Sequence, residues 1–408
     1  MTINNESKKQ ISLGIEGRRE QIERVINRGI IVDIIPSIQE FKEKLINSEG
    51  LKIYIGADPT SSSLHLSHAK NYMLLEELRK LGCEVYVLIG DFTARIGDPT
   101  DNSTARKKLT EEQIQENVKD WRKQIKPLID FNAKENPAKI VYNADWLSRL
   151  TMKDVVELVS NMTVQRMLER DMFEKRLKEN QPIYLHEFIY PLMQGYDSVH
   201  LGVDAELCGT DQIFNALVGR TLEKKYKNKD KFVIAVNLME NPKTKTLMSK
   251  SKGTGVFLNA TPEDMYGQIM AQPDEMVEIL LINNTRISLE KVDEIIKMEN
   301  SMDAKKITAQ KITEIFHGKE ESKKAEESFI KKIQKKEAPE DIQEFDLANK
   351  NIIDALVESK LVSSKSDARR AIEQGGVKIN SEVIKDFDTI LKSGDIVQKG
   401  KRFFAKVK

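Results

Sequence analysis

Residues 51–81, LKIYIGADPTSSSLHLSHAKNYMLLEELRKL, hold the pattern that decides the fold. Apolar and polar residues alternate over 51–55, which predicts a strand with one apolar face. A proline then ends the strand, and residues 64–81 follow a helical period that a glycine closes. We expect the serines at 61–63 to cap that helix. The stretch therefore predicts a strand–turn–helix unit.

The same order of strand and helix recurs further along the chain. Mostly apolar segments that predict strands, each joined to a helical pattern, are 84–91, 139–147, 202–212 and 232–238. Alternation of strands with helices indicates an α/β fold with a parallel sheet and right-handed crossovers. Ligands of such sheets bind at the carboxyl ends of the strands.

Changes in composition divide the chain into segments. Residues 319–346 are dense in Lys and Glu, which predicts a helix that gives way to a solvated linker. We place five segments in chain order: a helical lead-in at 1–48, the sheet domain at 49–238, a loop and helical domain at 239–336, the linker at 337–349 and a small α+β domain at 350–408.

Bulk composition excludes several classes of protein. The net charge of +1 over 408 residues is not that of a polycation, so a nucleic-acid site must be a local patch. Since no apolar run approaches the roughly 20 residues of a membrane span, we expect no membrane association. Cys83 and Cys208 fit neither a disulfide framework nor a zinc site, and they predict buried thiols in a reducing cytoplasm.

His65 and His68 are two of only five histidines in the chain. Their i, i+3 spacing puts them on one face of the first helical turn, where unpaired N–H groups and the helix dipole favour an anion such as phosphate. A chance pair on the surface is the simpler alternative. A metal site is disfavoured because no third ligand is close in sequence.

A second basic motif, LMSKSKGTG at 247–255, strengthens the phosphate interpretation. Lys250 lies between two serines in a segment of small, hydroxylated and basic residues. A loop of this kind can bring an ammonium over a phosphoryl group. Each motif alone is a weak signal, and the two together predict a site for nucleotide phosphates.

The two motifs resemble the HIGH and KMSKS signatures of class I aminoacyl-tRNA synthetases, and the chain from about residue 30 resembles the tyrosyl-tRNA synthetases. The matching segments are YIGADPTSSSLHLSHA, LIGDFTARIGDPT, MLERDMF, HEFIYPLMQGYDSVHLGVDAELCGTDQ and SDARRAIEQGGVKIN. The resemblance implies a Rossmann-like catalytic domain, a helical domain and a small S4-like RNA-binding domain. It also implies an enzyme that activates tyrosine with ATP and transfers it to the 3′ end of tRNA(Tyr).

The resemblance assigns roles on the nucleotide side. The residues implied in phosphate chemistry are Thr60, His65, Arg106 and Lys250, and His68 would contact the nucleotide nearer its ribose and ring oxygen. The further residues implied in ATP binding are Gly56, Gly209, Asp211, Ser249 and Ser251. Catalysis would consist of positioning and charge stabilisation, without an enzyme nucleophile. ATP is expected as a substrate that carries Mg²⁺, with no metal site of the protein and no permanently bound cofactor.

The resemblance also assigns a tyrosine pocket. The residues implied are Tyr54, Asp58, Asp98, Tyr190, Gln194, Asp197 and Gln212. Tyr54 and Asp197 would hold the phenolic hydroxyl, and Asp98 with Tyr190 and Gln194 the ammonium group. The i, i+4, i+7 spacing of Tyr190, Gln194 and Asp197 puts them on one helix face. An ordinary amphipathic helix does not explain two polar residues on that stripe.

The last segment is basic. Residues 351–408 contain 12 Lys and Arg against 8 Asp and Glu, as an RNA-binding appendage requires. Lys365, Arg369 and Arg370 are candidate RNA contacts on one helix. The adjacent phenylalanines at 403–404 suit either an RNA-facing surface or a core. By the resemblance, the protein would be a cytoplasmic homodimer that binds tyrosine, ATP and tRNA(Tyr).

Some motif positions depart from the family pattern. Ser67 replaces the glycine between the histidines, Leu247 replaces the first lysine of the loop, Cys208 replaces a glycine, and Asp101 and Asn102 replace a glycine and a basic residue. Two rival hypotheses remain. One is an RNA-binding relative that has lost aminoacylation, and the other is a class I relative for tryptophan. The retained phenol pocket argues against both.

Overall fold

The structure is a computed structural model that describes residues 15–47, 50–98, 109–248, 254–331, 342–380, 382–400 and 403–408. The chain divides into two compact units, Met1–Ser322 and Lys323–Lys408. The first contains a mostly parallel sheet with helices, and the second has a smaller sheet of its own. The predicted α/β fold class is confirmed, whereas the five segment boundaries stay predictions.

Six strands form the sheet of the first unit. In chain order they are Ile31–Ile35 (β1), Lys52–Ala57 (β2), Glu84–Ile89 (β3), Lys139–Tyr142 (β4), Ala205–Gly209 (β5) and Phe232–Val236 (β6). Their spatial order is β1-β6-β5-β2-β3-β4, and every neighbouring pair is parallel except β1 with β6. The strands predicted from the sequence are β2 to β6. All residues of β6 are buried, as in a strand covered on both faces.

Helices connect these strands and continue after them. In chain order they are Ile15–Ile26 (α1), Ile38–Asn47 (α2), Leu66–Lys80 (α3), Glu111–Lys119 (α4), Trp121–Ile125 (α5), Ala144–Leu147 (α6), Met152–Val159 (α7), Val164–Leu168 (α8), Asp171–Lys178 (α9), Leu185–Leu201 (α10), Ile213–Lys227 (α11), Pro262–Met270 (α12), Met276–Asn284 (α13), Leu289–Ile296 (α14), Ser301–His317 (α15) and Lys319–Phe329 (α16). Within the described ranges, none of them is long and apolar enough to cross a membrane.

The lead-in predicted as helical also contributes a strand. β1 pairs antiparallel with β6 and forms an edge of the sheet. Its partner lies at the far end of the sheet domain in sequence, so no short-range pattern reveals the pairing. The prediction for this segment was wrong in that respect.

The start of α3 also differs from the prediction. His65, and not one of the serines at 61–63, is the residue that caps the helix. The backbone before it is held extended, because Leu66 N–H donates to Val256 O (3.0 Å) and Leu258 N–H donates to Leu64 O (2.9 Å). The helix therefore begins two residues later than the sequence pattern predicts.

The second unit combines two helices with a five-stranded sheet. The helices are Ile352–Glu358 (α17) and Lys365–Glu373 (α18), and the strands are Glu344–Phe345 (β7), Val377–Ile379 (β8), Glu382–Val383 (β9), Ile396–Lys399 (β10) and Phe403–Val407 (β11). Their order in the sheet is β7-β11-β10-β8-β9. β7 lies in the segment predicted as a linker, and its pairing with β11 places it in this sheet.

A core of apolar side chains, among them Leu356, Ile372 and Val397, stabilises the second unit. Phe403 is not part of that core, since 60% of its surface is exposed, whereas Phe404 is half-buried. The core interpretation of the two phenylalanines was therefore wrong for Phe403.

Candidate functional site

The carboxyl edge of the parallel sheet gathers the predicted site residues. Asp58 follows β2, Asp98 lies in the segment after β3, and Asp211 and Gln212 follow β5. Because neighbouring parallel strands end on the same side, these side chains come to one edge. Helix α10 adds three further predicted residues to it.

Tyr54 and Asp197 are buried, with 1% and 2% of their surfaces exposed. Asp197 accepts hydrogen bonds from Trp146 Nε1 (2.7 Å) and Asn143 Nδ2 (3.2 Å). Burial raises the pKa of Asp197, although these two bonds act in the opposite direction. Burial also raises the pKa of Tyr54 well above its ordinary value, so the phenol stays protonated. The pair can offer a hydroxyl donor and a carboxyl acceptor.

Tyr190 and Asp58 lie toward another part of the same edge. Tyr190 precedes Asp197 by seven residues on α10, which is about 10 Å along the helix axis. Its hydroxyl donates to Asp58 Oδ2 (2.9 Å), and Thr93 Oγ1 donates to Asp58 Oδ1 (2.6 Å). A β-carbon at Gly90 would lie 2.0 Å from Asp58 Oδ1, so the glycine leaves room for this carboxylate. The Asp58 carboxylate is thereby held in one position.

A chain of amide side chains connects the remaining pocket residues. Gln212 Nε2 donates to Asp98 Oδ2 (2.5 Å), and Asn215 Nδ2 donates to both Gln212 Oε1 (2.9 Å) and Gln194 Oε1 (3.0 Å). Gln194 Nε2 donates to Glu206 Oε1 (2.9 Å). All seven residues predicted for tyrosine binding thus take part in hydrogen bonds at this edge of the sheet.

His65 and His68 stand at the start of α3 with their ring centres 4.0 Å apart. The backbone N–H of His65 donates to His68 Nδ1 (3.2 Å), so a neutral His68 carries its proton on Nε2. Burial lowers the pKa of His65 to about 4 and that of His68 to about 3. Both rings are neutral near pH 7, and they can act as hydrogen-bond donors without a full charge.

The structure describes the residues that flank the segment 249–253, which contains Lys250. Thr254 Oγ1 donates to Leu247 O (3.3 Å), which joins the residues that flank it. Further along, Val256 O accepts from Leu66 N–H (3.0 Å) in the first turn of α3. The carboxyl flank of the segment therefore lies against the residues that carry the histidine pair.

Lys70 is a buried lysine that the sequence analysis did not single out. Only 2% of its surface is exposed, and its ammonium donates to Asn71 Oδ1 (3.0 Å). Burial lowers the pKa of Lys70 to about 7, and the Asp211 carboxylate offsets part of that effect. The charge of Lys70 therefore changes near neutral pH. A lysine among the apolar residues of a helix was the signal that could have revealed it.

The other predicted residues of the nucleotide side are only partly described. Thr60 and Gly56 are exposed near the end of β2, Gly209 ends β5, and Asp211 is exposed beside it. The residues of interest that lie outside the described ranges are Arg106, Ser249, Lys250 and Ser251, together with the unusual Asp101 and Asn102.

The three candidate RNA contacts are exposed on α18. Lys365 Nζ pairs with Asp354 Oδ1 (2.7 Å), and Arg370 pairs with Asp367. Two of the three cations are therefore already neutralised in part by acids of the same unit. Arg369 makes no ion pair within the part of the chain that is described.

Sequence reasoning missed the polar residues that surround the pocket. They are Asn143, Trp146, Ser198, Glu206, Asn215 and Lys231. Glu206 within AELCG and Lys231 before FVIAV are charged residues in apolar strand sequences, which is a readable signal. Among the described residues, no group of three His, Cys, Asp or Glu side chains suits a metal ion.

Two family models match the chain. The model described as tRNA synthetases class I (W and Y) matches residues 47–334. The model described as the tyrosine–tRNA ligase SYY-like C-terminal domain matches residues 332–405. Together they account for nearly the whole sequence after residue 46.

Similar proteins extend over almost the full length of the chain. A tyrosine–tRNA ligase of Carboxydothermus hydrogenoformans is 40% identical and covers 96% of this chain and 98% of its own length. A tyrosine–tRNA ligase of Thermotoga maritima is 41% identical and covers 95% of this chain and 97% of its own.

Solved structures share the fold. A C-terminally truncated mitochondrial tyrosyl-tRNA synthetase of Aspergillus nidulans has a TM-score of 0.66 at 20% identity, over 80% of this chain and 99% of that one. A tyrosyl-tRNA synthetase of Archaeoglobus fulgidus, complexed with L-tyrosine, has a TM-score of 0.58 at 21% identity, over 77% and 100%. At these identities the likeness concerns the fold alone.

Proposed function

The chain belongs to the tyrosine–tRNA ligases, which are class I aminoacyl-tRNA synthetases, and we propose that tyrosine and ATP react at the carboxyl edge of its sheet. In this reaction tyrosine and ATP form tyrosyl-adenylate and pyrophosphate. The tyrosyl group then passes to the 3′ end of tRNA(Tyr). The residue roles below are proposals that rest on the geometry of the site.

The spacing of polar groups along α10 is the observation that carries the proposal. A tyrosine with its phenol against Tyr54 and Asp197 would direct its ammonium toward Asp58 and Tyr190, about 10 Å further along the helix. Asp98 adds a second carboxylate on that side. The phenolic hydroxyl would donate to Asp197 and accept from Tyr54. Phenylalanine would leave both groups buried and unpaired, which is costly.

Gln194 and Gln212 would complete the tyrosine site. The Oε1 atom of each accepts a hydrogen bond from Asn215 Nδ2 (3.0 Å for Gln194 and 2.9 Å for Gln212), so both amide groups are held in fixed orientations. Fixed hydrogen-bonding groups bind a ligand with a smaller loss of entropy than free ones. We assign both amides to the amino-acid end of the substrate.

The nucleotide side would supply positioning and charge. The tyrosine carboxylate attacks the α-phosphorus of ATP, the bond to the bridging oxygen breaks, and its electron pair leaves with pyrophosphate. His65 would donate to phosphate oxygens and His68 to the nucleotide nearer its ribose, both from neutral rings, and Lys250 would pair with the departing pyrophosphate. The other proposed ATP contacts are Gly56, Thr60, Arg106, Gly209, Asp211, Ser249 and Ser251. Mg²⁺ would enter with ATP, held mainly by phosphate oxygens.

We assign tRNA binding in part to the second unit. Its net positive charge suits a phosphate backbone. Arg369 is the best candidate contact on α18, because its neighbours Lys365 and Arg370 are engaged with acids. An S4-like mode of RNA binding is part of this proposal.

We also propose a homodimer that works in the cytoplasm, where tRNA is charged for translation. Met152 and Val156 on α7 and Leu185 at the start of α10 are 79%, 58% and 81% exposed. Exposed apolar side chains of this size support an interface with another protein surface. A second copy of the chain is the occupant that we propose.

Exchange of labelled pyrophosphate into ATP tests the central proposal. Exchange that depends on tyrosine, and is absent with phenylalanine and tryptophan, is the expected result. Exchange with tryptophan instead would favour the tryptophan relative. Tight binding of tRNA without exchange by any amino acid would favour an RNA-binding protein that has lost the reaction. A variant Asp197→Ala should lose exchange with tyrosine while its affinity for ATP persists.

A further inference from the structure

Behind the phenol pocket, buried polar side chains form a closed network. Lys231 and Ser198 are 0% exposed, and Glu206 is 2% exposed. The Lys231 ammonium pairs with Glu206 Oε2 and donates to Ser198 Oγ (2.8 Å). Ser198 Oγ lies 3.0 Å from Tyr54 Oη, and Glu206 Oε1 accepts from Gln194 Nε2 (2.9 Å). The ion pair therefore contacts Gln194 directly, through Glu206, and it reaches Tyr54 through Ser198.

The packing of α10 against α11 makes room for this ammonium. A β-carbon at Gly195 would lie 3.1 Å from Gly219 N, so the two helices approach closely there. A β-carbon at Gly219 would lie 2.5 Å from Lys231 Nζ and 2.9 Å from Ser198 Oγ. Apolar residues in place of a buried ion pair often stabilise a fold as well or better. Stability alone is therefore a weak reason for this arrangement.

The inventory of hydrogen bonds indicates which way the protons point. Ser198 Oγ accepts from Lys231, so its own proton is available for donation. Glu206 Oε2 lies 3.4 Å from Ser198 Oγ and is already paired with the ammonium, whereas Tyr54 Oη lies 3.0 Å from Ser198 Oγ. Donation from Ser198 to Tyr54 is therefore favoured. The proton of Tyr54 then remains for a ligand, since Gln194 O is distant at 3.4 Å and the Glu206 carboxylate, its further acceptor, is engaged by the Lys231 ammonium.

We propose that Lys231 and Glu206 are positioning residues for tyrosine selection, acting through Ser198 to make Tyr54 a donor to the substrate phenol. The inference rests on the proposed function of the pocket. Without the ammonium, Ser198 would turn its proton to the bare Glu206 carboxylate, and Tyr54 would donate to Ser198. Tyr54 and Asp197 would then both be acceptors for the single hydroxyl proton of the substrate phenol, and one of them would lack a hydrogen bond.

The test removes both charges and keeps the side-chain shapes. In the double variant Lys231→Met and Glu206→Gln, no isolated charge remains buried. Steady-state pyrophosphate exchange of the full chain is measured with tyrosine, phenylalanine and ATP as the varied substrates. We expect the KM for tyrosine to rise about tenfold and the preference for tyrosine over phenylalanine to fall about tenfold. The KM for ATP and kcat should stay within about twofold.

A second variant, Ser198→Ala, keeps the ion pair and removes only the relay to Tyr54. It should shift the same two quantities in the same direction, because the Tyr54 hydroxyl, no longer held by Ser198, can turn its proton to Gln194 O (3.4 Å) instead of to the ligand. Should the double variant fail to fold, the ratio of tyrosine to phenylalanine exchange in Ser198→Ala decides the question. An unchanged ratio there overturns the proposal.

The matched control is another buried ion pair, which joins α9 to the start of α10. Arg176 Nη1 lies 2.6 Å from Glu187 Oε1, and Glu187 Oε2 accepts from Tyr184 N–H (2.7 Å) at the helix start. The double variant Arg176→Met and Glu187→Gln should leave both the KM for tyrosine and the preference for tyrosine over phenylalanine unchanged, whatever its effect on the Tm. If the Lys231 and Glu206 variant behaves like this control, its role is structural and the proposal falls. Wild-type protein that shows no exchange with any amino acid would overturn the proposed function instead.

Discussion

The phenol end and the nucleotide end of the site each contain a buried lysine, and the two are held differently. Lys231 at the phenol end forms an ion pair with Glu206. Lys70 at the nucleotide end donates to the neutral amide oxygen of Asn71, and Asp211 only offsets part of the cost of its burial. The charges at the phenol end are therefore fixed, whereas the charge at the nucleotide end can change with pH and with a bound ligand.

The largest effect should follow when the fixed pair is broken. Lys231→Met leaves the Glu206 carboxylate buried without a counter-charge, so we expect a loss of about 3–5 kcal/mol in the free energy of unfolding. Urea denaturation followed by tryptophan fluorescence reports on this unit, because Trp121 and Trp146 both belong to it. Lys70→Met is the matched control, and it should cause no comparable loss. Equal losses in the two variants would remove the distinction between the lysines.

The next largest effect separates the two ends in function. Lys250→Ala should slow adenylate formation about 100-fold, since a cation on the departing pyrophosphate is lost in the transition state. Tyrosine affinity should stay nearly intact, because the phenol end does not depend on that cation. Single-turnover kinetics and equilibrium tyrosine binding measure the two quantities. A large loss of tyrosine binding would contradict the assigned role.

A smaller effect concerns pH. The pKa of Lys70 is lowered from 10.5 to about 7, so the penalty for its burial is complete below pH 7. Between these values the unfolded chain keeps a proton that the folded chain has released. Stability should therefore rise with pH by up to about 1.4 kcal/mol per unit, and the penalty vanishes above 10.5.

Lys70→Met provides the reference for that pH effect. The advantage of the variant over the wild type in unfolding free energy should shrink as the pH is raised from neutral toward 9. Denaturation curves of both proteins across this interval measure it. Parallel pH dependences would show that Lys70 keeps its proton in the folded state.

The smallest effect is expected at Ser67. Glycine at this position would let a nucleotide approach the bare backbone of α3. Ser67→Gly should therefore lower the KM for ATP slightly or leave it unchanged, within about twofold, with no effect on the KM for tyrosine. A clear rise in the KM for ATP would mean that the serine hydroxyl contacts the nucleotide.

Much of the fold could be predicted because its signals are local. The alternation at 51–55 and the apolar run before Asn237 each define a strand without reference to the rest of the chain. β1 could not be predicted in this way, because its partner β6 is distant in sequence. The cap of α3 was missed for the same reason. The contact of Leu66 with Val256 overrides the local preference for a serine cap.

Residues of the site could be predicted only where they belong to a sequence motif or lie on one face of a predicted helix. Gln194 and Asp197 were visible as polar residues on one face of α10. Trp146 was not, because it reaches Asp197 from the helix after β4. The role of Ser198 follows only from its contact with Lys231, and these two residues are far apart in the chain. Networks behind a pocket depend on tertiary packing, and no spacing rule reveals them.

Gly219 limits how this sequence can vary in evolution. Any β-carbon at that position would collide with the ammonium 2.5 Å away and disturb its contact with Ser198. Glycine at 219, the hydroxyl at 198 and the lysine at 231 should therefore change together among relatives. A lineage that loses the lysine can place alanine on that helix, whereas we expect a lineage that keeps the lysine in this position to keep the glycine as well.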